Sequence, residues 1–566
     1  MTRARLLALA WATVACEPAF ECVEPVEVAA LELSGQGAGA MMQGFCSEYT
    51  LGVEVEALVV RETSIAQLQL PCVCGVKQSV EISDNPDLLD LGGLEHLRAI
   101  GGGIVIARNP RLTTLAGLPQ GARLGVTADD HSILIEDNDA LIDLAGLPRA
   151  GTELPGDLEI VANKRLTSLA ALPPDLTRVR GLRIVGNPAL ASLAGLPHLA
   201  DIGAGGLVVA ANHALRDLDG LPPNLTHVGG SVVIRDNHAL ERLVGVPATL
   251  GAIGGDLEIA GNPALRDLSG LPDALHVAGA LAIRDDDGLV DLTGLPAQLQ
   301  LGVDPETGDS LRIGDNGGLV DLAGLPAGIP ALAGSVRIHG NPALVDLSGL
   351  FAHLQRIDGA LDILDNLGLV DLSGLPAGLQ LGADPEGTSL VVTDNAGLEN
   401  LTGFPADLDA LSGGLVVLRN RRLRDLSGLE PLREVGGDLL IGRRRPQDLA
   451  PACDDPNDPG GNGSLERLTG LSALEVVGGT LAIACNPALV ALDAFSALHT
   501  IDGSLLLREN PELADITGLG GPAGALTRVG GVFELRCSPL LDLETAIAVL
   551  AGVTDPVPLT LDLACP

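Results

Sequence analysis

From Ser79 to Leu543 the apolar residues alternate between two spacings, and the alternation returns every 24 or 25 positions. Asp256 to Pro272, DLEIAGNPALRDLSGLP, shows the unit clearly. In L-x-I the two apolar residues stand two apart, which places both on one face of a β-strand. Asn262 and Pro263 then end the strand in a turn, because Asn bonds its own backbone and Pro has no amide to give to a ladder. The following A-L-x-x-L-x-G-L-P turns Leu265, Leu268 and Leu271 inward, and L-x-x-I/V-G-G leads to the next strand. A single coil cannot bury so many aliphatics, so the period predicts stacked coils, a parallel β-solenoid.

Strand starts can be marked at Ser79, Gly103, Ser132, Asp157, Gly181, Gly206, Ser231, Asp256, Ala280, Ser310, Ser335, Ala360, Ser389, Gly414, Asp438, Thr480, Ser504 and Val532. That is about eighteen coils, a rod on the order of 80 to 90 Å long at ~4.8 Å per coil. Residues 17–77 lack the repeat and read as an N-terminal cap, and residues 443–463 as a loop inserted in the repeats of 78–543. Residues 544–566, whose first part has a helical apolar pattern, read as a C-terminal cap.

The pattern L-x-x-I-G-G-x-L-x-I-x-x-N-P-x-L-x-x-L-x-G-L resembles the receptor L-domain, a relative of leucine-rich repeats found in the ectodomains of insulin and epidermal growth factor receptors. The Gly pairs Gly254-Gly255, Gly436-Gly437 and Gly478-Gly479 carry the resemblance. It implies an all-β, right-handed solenoid (β-helix) and a binding role. It names no ligand, and this chain has far more coils than those receptor domains.

Composition narrows the partners. A net charge of −39 excludes nucleic acid and anionic membrane surfaces, and 1% aromatic residues leave few platforms for stacking bases or sugars. The N-terminus has basic Arg3 and Arg5, then Leu6 to Ala15, LLALAWATVA, and then Cys16. This resembles a bacterial lipoprotein signal of residues 1–16, with Cys16 lipidated as the only membrane contact; an ordinary secretory signal cut nearby is the alternative. Either way the chain is expected to be exported, as an outer-membrane or cell-surface lipoprotein or as a secreted protein.

Cysteine placement agrees with an oxidising compartment. Without Cys16, eight remain, with Cys22, Cys46, Cys72 and Cys74 before the repeats and Cys453, Cys485, Cys537 and Cys565 near their end. This fits disulfide-tied end caps. Cys485 and Cys537 share a column with the Ser504 coil between them, about 10 Å apart and beyond disulfide reach, which favours Cys453 with Cys485 and Cys537 with Cys565.

Three columns could carry chemistry. The Asn column, Asn85 to Asn420 with Asp286 in one coil, reads as a ladder satisfying turn backbone. Asp267, Asp291, Asp321, Asp346 and Asp371 hold one place in five successive coils; either each bonds its own turn, or neighbours share a divalent cation, calcium being the ion such carboxylates would take. No other cofactor is expected. The third column is the outward residue of L-x-I. It is charged at Glu159, Arg183, Glu258, Arg312, Arg337 and Asp362, then aliphatic at Val391, Val416, Leu440, Ala482 and Leu506, with Leu364 and Leu418 beside it. Outward aliphatics in successive coils make a contact stripe for a protein or glycan ligand. The histidines are scattered with no nucleophile, base and orienter together, so catalysis on an acidic polysaccharide is the weaker reading. The sequence thus points to a non-enzymatic binding protein of the cell envelope, with a structural spacer or cation-binding rod as alternatives.

Overall fold

The computed structural model describes residues 25–49, 52–326, 328–350, 352–442, 461–520, 525–541, 543–554 and 557–562. Each coil contributes one strand to a long parallel sheet, and the coils stack as a β-solenoid of about 20 turns. The expected strand starts lead parallel strands that pair from coil to coil, with register shifts confined to the leading residues of some: Leu257–Ala260 pairs with Val232–Arg235 on one side and Leu281–Arg284 on the other. The stack is longer than the repeat alone indicates. Strands Leu31–Ser34 and Leu58–Arg61, inside the stretch expected to be a cap, join the same sheet, and Leu559–Asp562 extends its other end. These coils keep the alternation of buried and exposed residues and lack the Asn-Pro signature. Among the described residues, α-helices Ala38–Glu48 and Leu543–Leu550 flank the repeats.

The core is the stack of aliphatic columns. In the 256–272 unit Leu257, Ile259, Leu265 and Leu268 are all buried, and Leu271 packs at the edge. Each buried Leu or Ile contributes roughly 1.5–3 kcal/mol of transfer free energy. A second ladder of two-residue strands, such as Ala252–Ile253 between His227–Val228 and His276–Val277, runs before the main sheet. The Gly pair makes the corner between the ladders. A Cβ at Gly254 would collide with the carbonyl of Gly229 one coil below, so only glycine lets the backbones approach. Gly270 has a different requirement, a φ of 119°.

The Asn column stitches the coils together. Asn212 donates through Nδ2 to the carbonyls of Ile184 (2.8 Å) and Ala210 (3.0 Å), and its Oδ1 accepts the amide of Asn187 at 3.1 Å. Its own amide passes to Oδ1 of Asn237 at 3.0 Å. The residue before the Asn is left-handed, which is why Gly or Asp recurs there, as at Gly261 and Asp236. The ladder continues across the inserted stretch. The amide of Asn420 bonds Oδ1 of Asn462 at 3.0 Å, so the ladder is unbroken although the two residues are 42 apart in sequence.

Cys46 and Cys72 form a disulfide, and Cys74, Cys485 and Cys537 are disulfide-bonded as well. Cys16, Cys22, Cys453 and Cys565, and with them the pairings favoured from spacing, lie outside the described residues.

Asp286 is the one acid in the ladder among the described residues. Its Oδ1 accepts from the amide and Nδ2 of Asn262, at 2.7 and 3.2 Å, as an Asn would. Its Oδ2 is buried without a partner, facing by ladder register the Ile259 and Arg284 carbonyls that an Asn Nδ2 would bond. Burial pushes the Asp286 carboxyl up to about 7, outweighing the Asn262 bonds that lower it, and Asp285 and Asp287 push the same way. A raised folded-state value means that its stabilising contribution is complete below about pH 4 and lost as pH rises through about 7. Asp286→Asn restores the donor and removes this dependence. The variant should gain roughly 2 to 3 kcal/mol more over the parent at pH 8 than at pH 5, read from urea unfolding; equal gains at both pH values would contradict a neutral buried carboxyl.

Candidate functional site

The outward column of the long sheet changes character where the sequence indicates. Glu258 and Arg337 belong to its charged part: Glu258 pairs with Arg284 at 2.5 Å, and Arg337 with Asp362 at 3.0 Å. From Asp362 the ladder register then runs through Val391, Val416, Leu440, Ala482 and Leu506 to Glu534. Leu364, Thr393 and Leu418 form the parallel column two residues on.

A cavity of about 900 Å³ lies over the first part of these columns. Its floor contains Leu364, Val391, Val416, Leu418 and Leu440, five of the seven aliphatics of the expected contact stripe. One wall comes from coil length. The ladder step from Asn366 to Asn395 is 29 residues, whereas Asn341 to Asn366 is 25. The extra residues form a tight turn in which Asp384 bonds Thr388 through backbone (2.9 Å) and side chain (2.7 Å), leaving Glu386 exposed at the tip. The opposite wall is Asp394, held by Arg419 at 2.7 Å. With Asp438, the lining carries five carboxylates against two guanidiniums, Arg337 and Arg419, each already on an aspartate.

The stripe is less open than its outward register implies. Leu418, Leu440, Ala482 and Leu506 are buried, and Leu440, Ala482 and Leu506 form a small cluster separate from the core, with Val416 packed against it. Two leucines flank an alanine there and close over it, so Leu506 lies outside the groove and Val391, Val416 and Leu364 remain half-buried within it.

The five-Asp column is resolved into separate turns. Oδ1 of Asp267, Asp291, Asp321, Asp346 and Asp371 each accepts the amide two residues on, at 2.7 to 2.9 Å. Among the described residues no three His, Cys, Asp or Glu side chains gather around a metal-sized site. His213 and His238 stack with ring centroids 4.3 Å apart.

Sequence reasoning missed three features. Asp362 is 7% exposed and Thr393 5%; both line the groove, and Asp362 Oδ1 and Thr393 Oγ1 have no hydrogen-bond partner among the described residues. The sequence shows their column but not their burial. On another face Val290, Val320, Val345 and Val370 form an exposed row, 38 to 56% accessible, which the repeated V-D-L tripeptide could have revealed.

No helix among the described residues is long and apolar enough to cross a membrane. No protein-family model and no curated protein matches the chain. Solved structures similar to it include YopM from Yersinia enterocolitica WA-314, at 20% identity and a TM-score of 0.22, covering 67% of this chain and 82% of that one.

The turn role of the Asp column sets an expectation. Asp346→Asn keeps the side-chain acceptor and should leave stability within about 0.5 kcal/mol, whereas Asp346→Ala should cost about 1 kcal/mol. Denaturant titration of both variants, with calcium or with chelator, checks this; a calcium-dependent midpoint would instead assign the column to a cation.

Proposed function

We propose that this chain is a non-enzymatic interaction scaffold that binds a protein ligand in the groove over Val391 and Val416. One observation supports this most directly: the outward residues Val391, Val416 and Leu440 of consecutive coils make an aliphatic floor in a groove walled by charged turns on both sides. An apolar floor with a polar rim is the usual plan of a protein contact. A glycan fits less well, since no aromatic ring among the described residues lines the groove. The L-domain-like pattern agrees with a binding role. The N-terminal pattern ending at Cys16 adds export and a lipid anchor, which would present the rod at the cell envelope.

Val416→Glu places a charge on the floor while leaving the core columns untouched. Capture of a given partner from the native envelope should fall at least about tenfold, the loss expected at a central contact. Val345→Glu, on the exposed valine row, serves as the control and should leave capture unchanged. Equal capture by both variants would move the contact away from the groove. Protease treatment of intact cells, scored by loss of the protein, reads its exposure at the surface.

A further inference from the structure

The groove has an electrostatic asymmetry that specifies its ligand more closely, on the reading that it is the binding site. Carboxylates outnumber guanidiniums in its lining, and both guanidiniums are engaged, Arg337 with Asp362 and Arg419 with Asp394. An anionic ligand would have to displace one of these pairs. A cationic ligand would not.

The second observation is independent of the charge count. At the end of the floor Asp362 gives Oδ2 to Arg337 Nε at 3.0 Å, while its Oδ1 has no partner among the described residues. Thr393, one strand over and one column across, likewise has an unengaged Oγ1. A buried polar atom without a partner is costly, and native proteins keep such atoms where a ligand or other group satisfies them. Burial pushes the Asp362 carboxyl up despite Arg337, with Asp384 and Asp309 adding to the rise. A cation on Oδ1 would relieve this.

We propose that the groove recognises a protein segment carrying a basic side chain among aliphatic ones, the basic group bonding Asp362 and Thr393 while its aliphatic neighbours cover Val391 and Val416. A metal ion is a poorer occupant, since Arg337 already holds one carboxylate oxygen and, among the described residues, no group of three acidic ligands converges there. The acidic walls, Asp384 and Glu386 on one side and Asp394 on the other, add a salt-sensitive attraction for the same group.

The test uses the full chain and a fluorescein-labelled peptide, Ser-Val-Leu-Arg-Val-Leu-Ser, with a matched peptide carrying norleucine in place of arginine. Fluorescence anisotropy should show the arginine peptide binding at least about tenfold more tightly, with the preference shrinking as salt rises. Asp362→Asn should remove that preference without changing norleucine-peptide binding, and Thr393→Val should reduce it by about threefold. Val416→Glu should weaken the hydrophobic contribution to both peptides. If Val416→Glu abolishes native partner capture while Asp362→Asn leaves the arginine preference intact, the groove stands as a contact site and the cation assignment falls. Equal binding of the two peptides also overturns the assignment. So does arginine-peptide binding that appears only when Arg443, Arg444 and Arg445 are changed to Ser, since the chain's own basic triplet would then be the occupant.

Discussion

At one corner of each coil of the Asn ladder, from Asn85 to Asn510, a backbone amide and two carbonyls are shut away from water, and the structure depends on their finding partners. Asparagine meets the need with one side chain, because its amide group donates twice and its carbonyl accepts. Asn187, Asn212 and Asn237 bond one another's backbone in sequence, so each coil fixes the height and register of the next. The aliphatic columns supply most of the burial free energy, but they would tolerate sliding by small amounts. The Asn ladder does not, since each of its bonds has a defined length and direction. The Gly pair belongs to the same constraint. It lets the corner backbones approach closely enough for the ladder bonds to form.

That constraint also explains where variation is allowed. Coil length can change only where the added residues leave the stack without disturbing the ladder. The additions at Asp304 to Gly308 and at Asp384 to Gly387 fold back on themselves through amides that bond the Asp304 and Asp384 side chains, and each returns the chain to register. Asp304 is the more enclosed of the two acids. Burial alone would raise its carboxyl, but the Glu306 amide, Thr307 and Arg312 together hold it below the usual range. Only the second turn stands beside an aliphatic floor, and there it becomes a groove wall. The same turn geometry therefore has two outcomes, decided by what the outward column next to it carries.

The outward face grades from paired charges to aliphatics within two coils. Arg312 bonds Asp304 and Arg337 bonds Asp362, so ion pairs extend along the charged part to the groove's edge. Asp362 is the transition residue, half committed to Arg337 and half open. Several buried polar atoms lack a partner among the described residues, and Asp362 Oδ1 and Thr393 Oγ1 are the two that belong to the groove lining.

The sequence by itself determined the repeat, the parallel sheet, the core columns and the structural Asn ladder, because each is a local pattern copied many times and reinforced by identical neighbours. It also located Leu364, Val391, Val416, Leu418 and Leu440, since outward position follows from the strand's period of two. Tertiary structure decided the rest. Strands Leu31–Ser34 and Leu58–Arg61 join the stack although their coils lack the Asn-Pro signature, because strand alternation and an unpaired sheet edge are enough to extend a ladder. Leu440 and Leu506 close over Ala482, while Asp362 and Thr393 are enclosed without partners. Burial of an outward residue depends on its neighbours in adjacent coils and on the turns beside it, which lie 24 to 42 residues away along the chain. No local pattern carries that information.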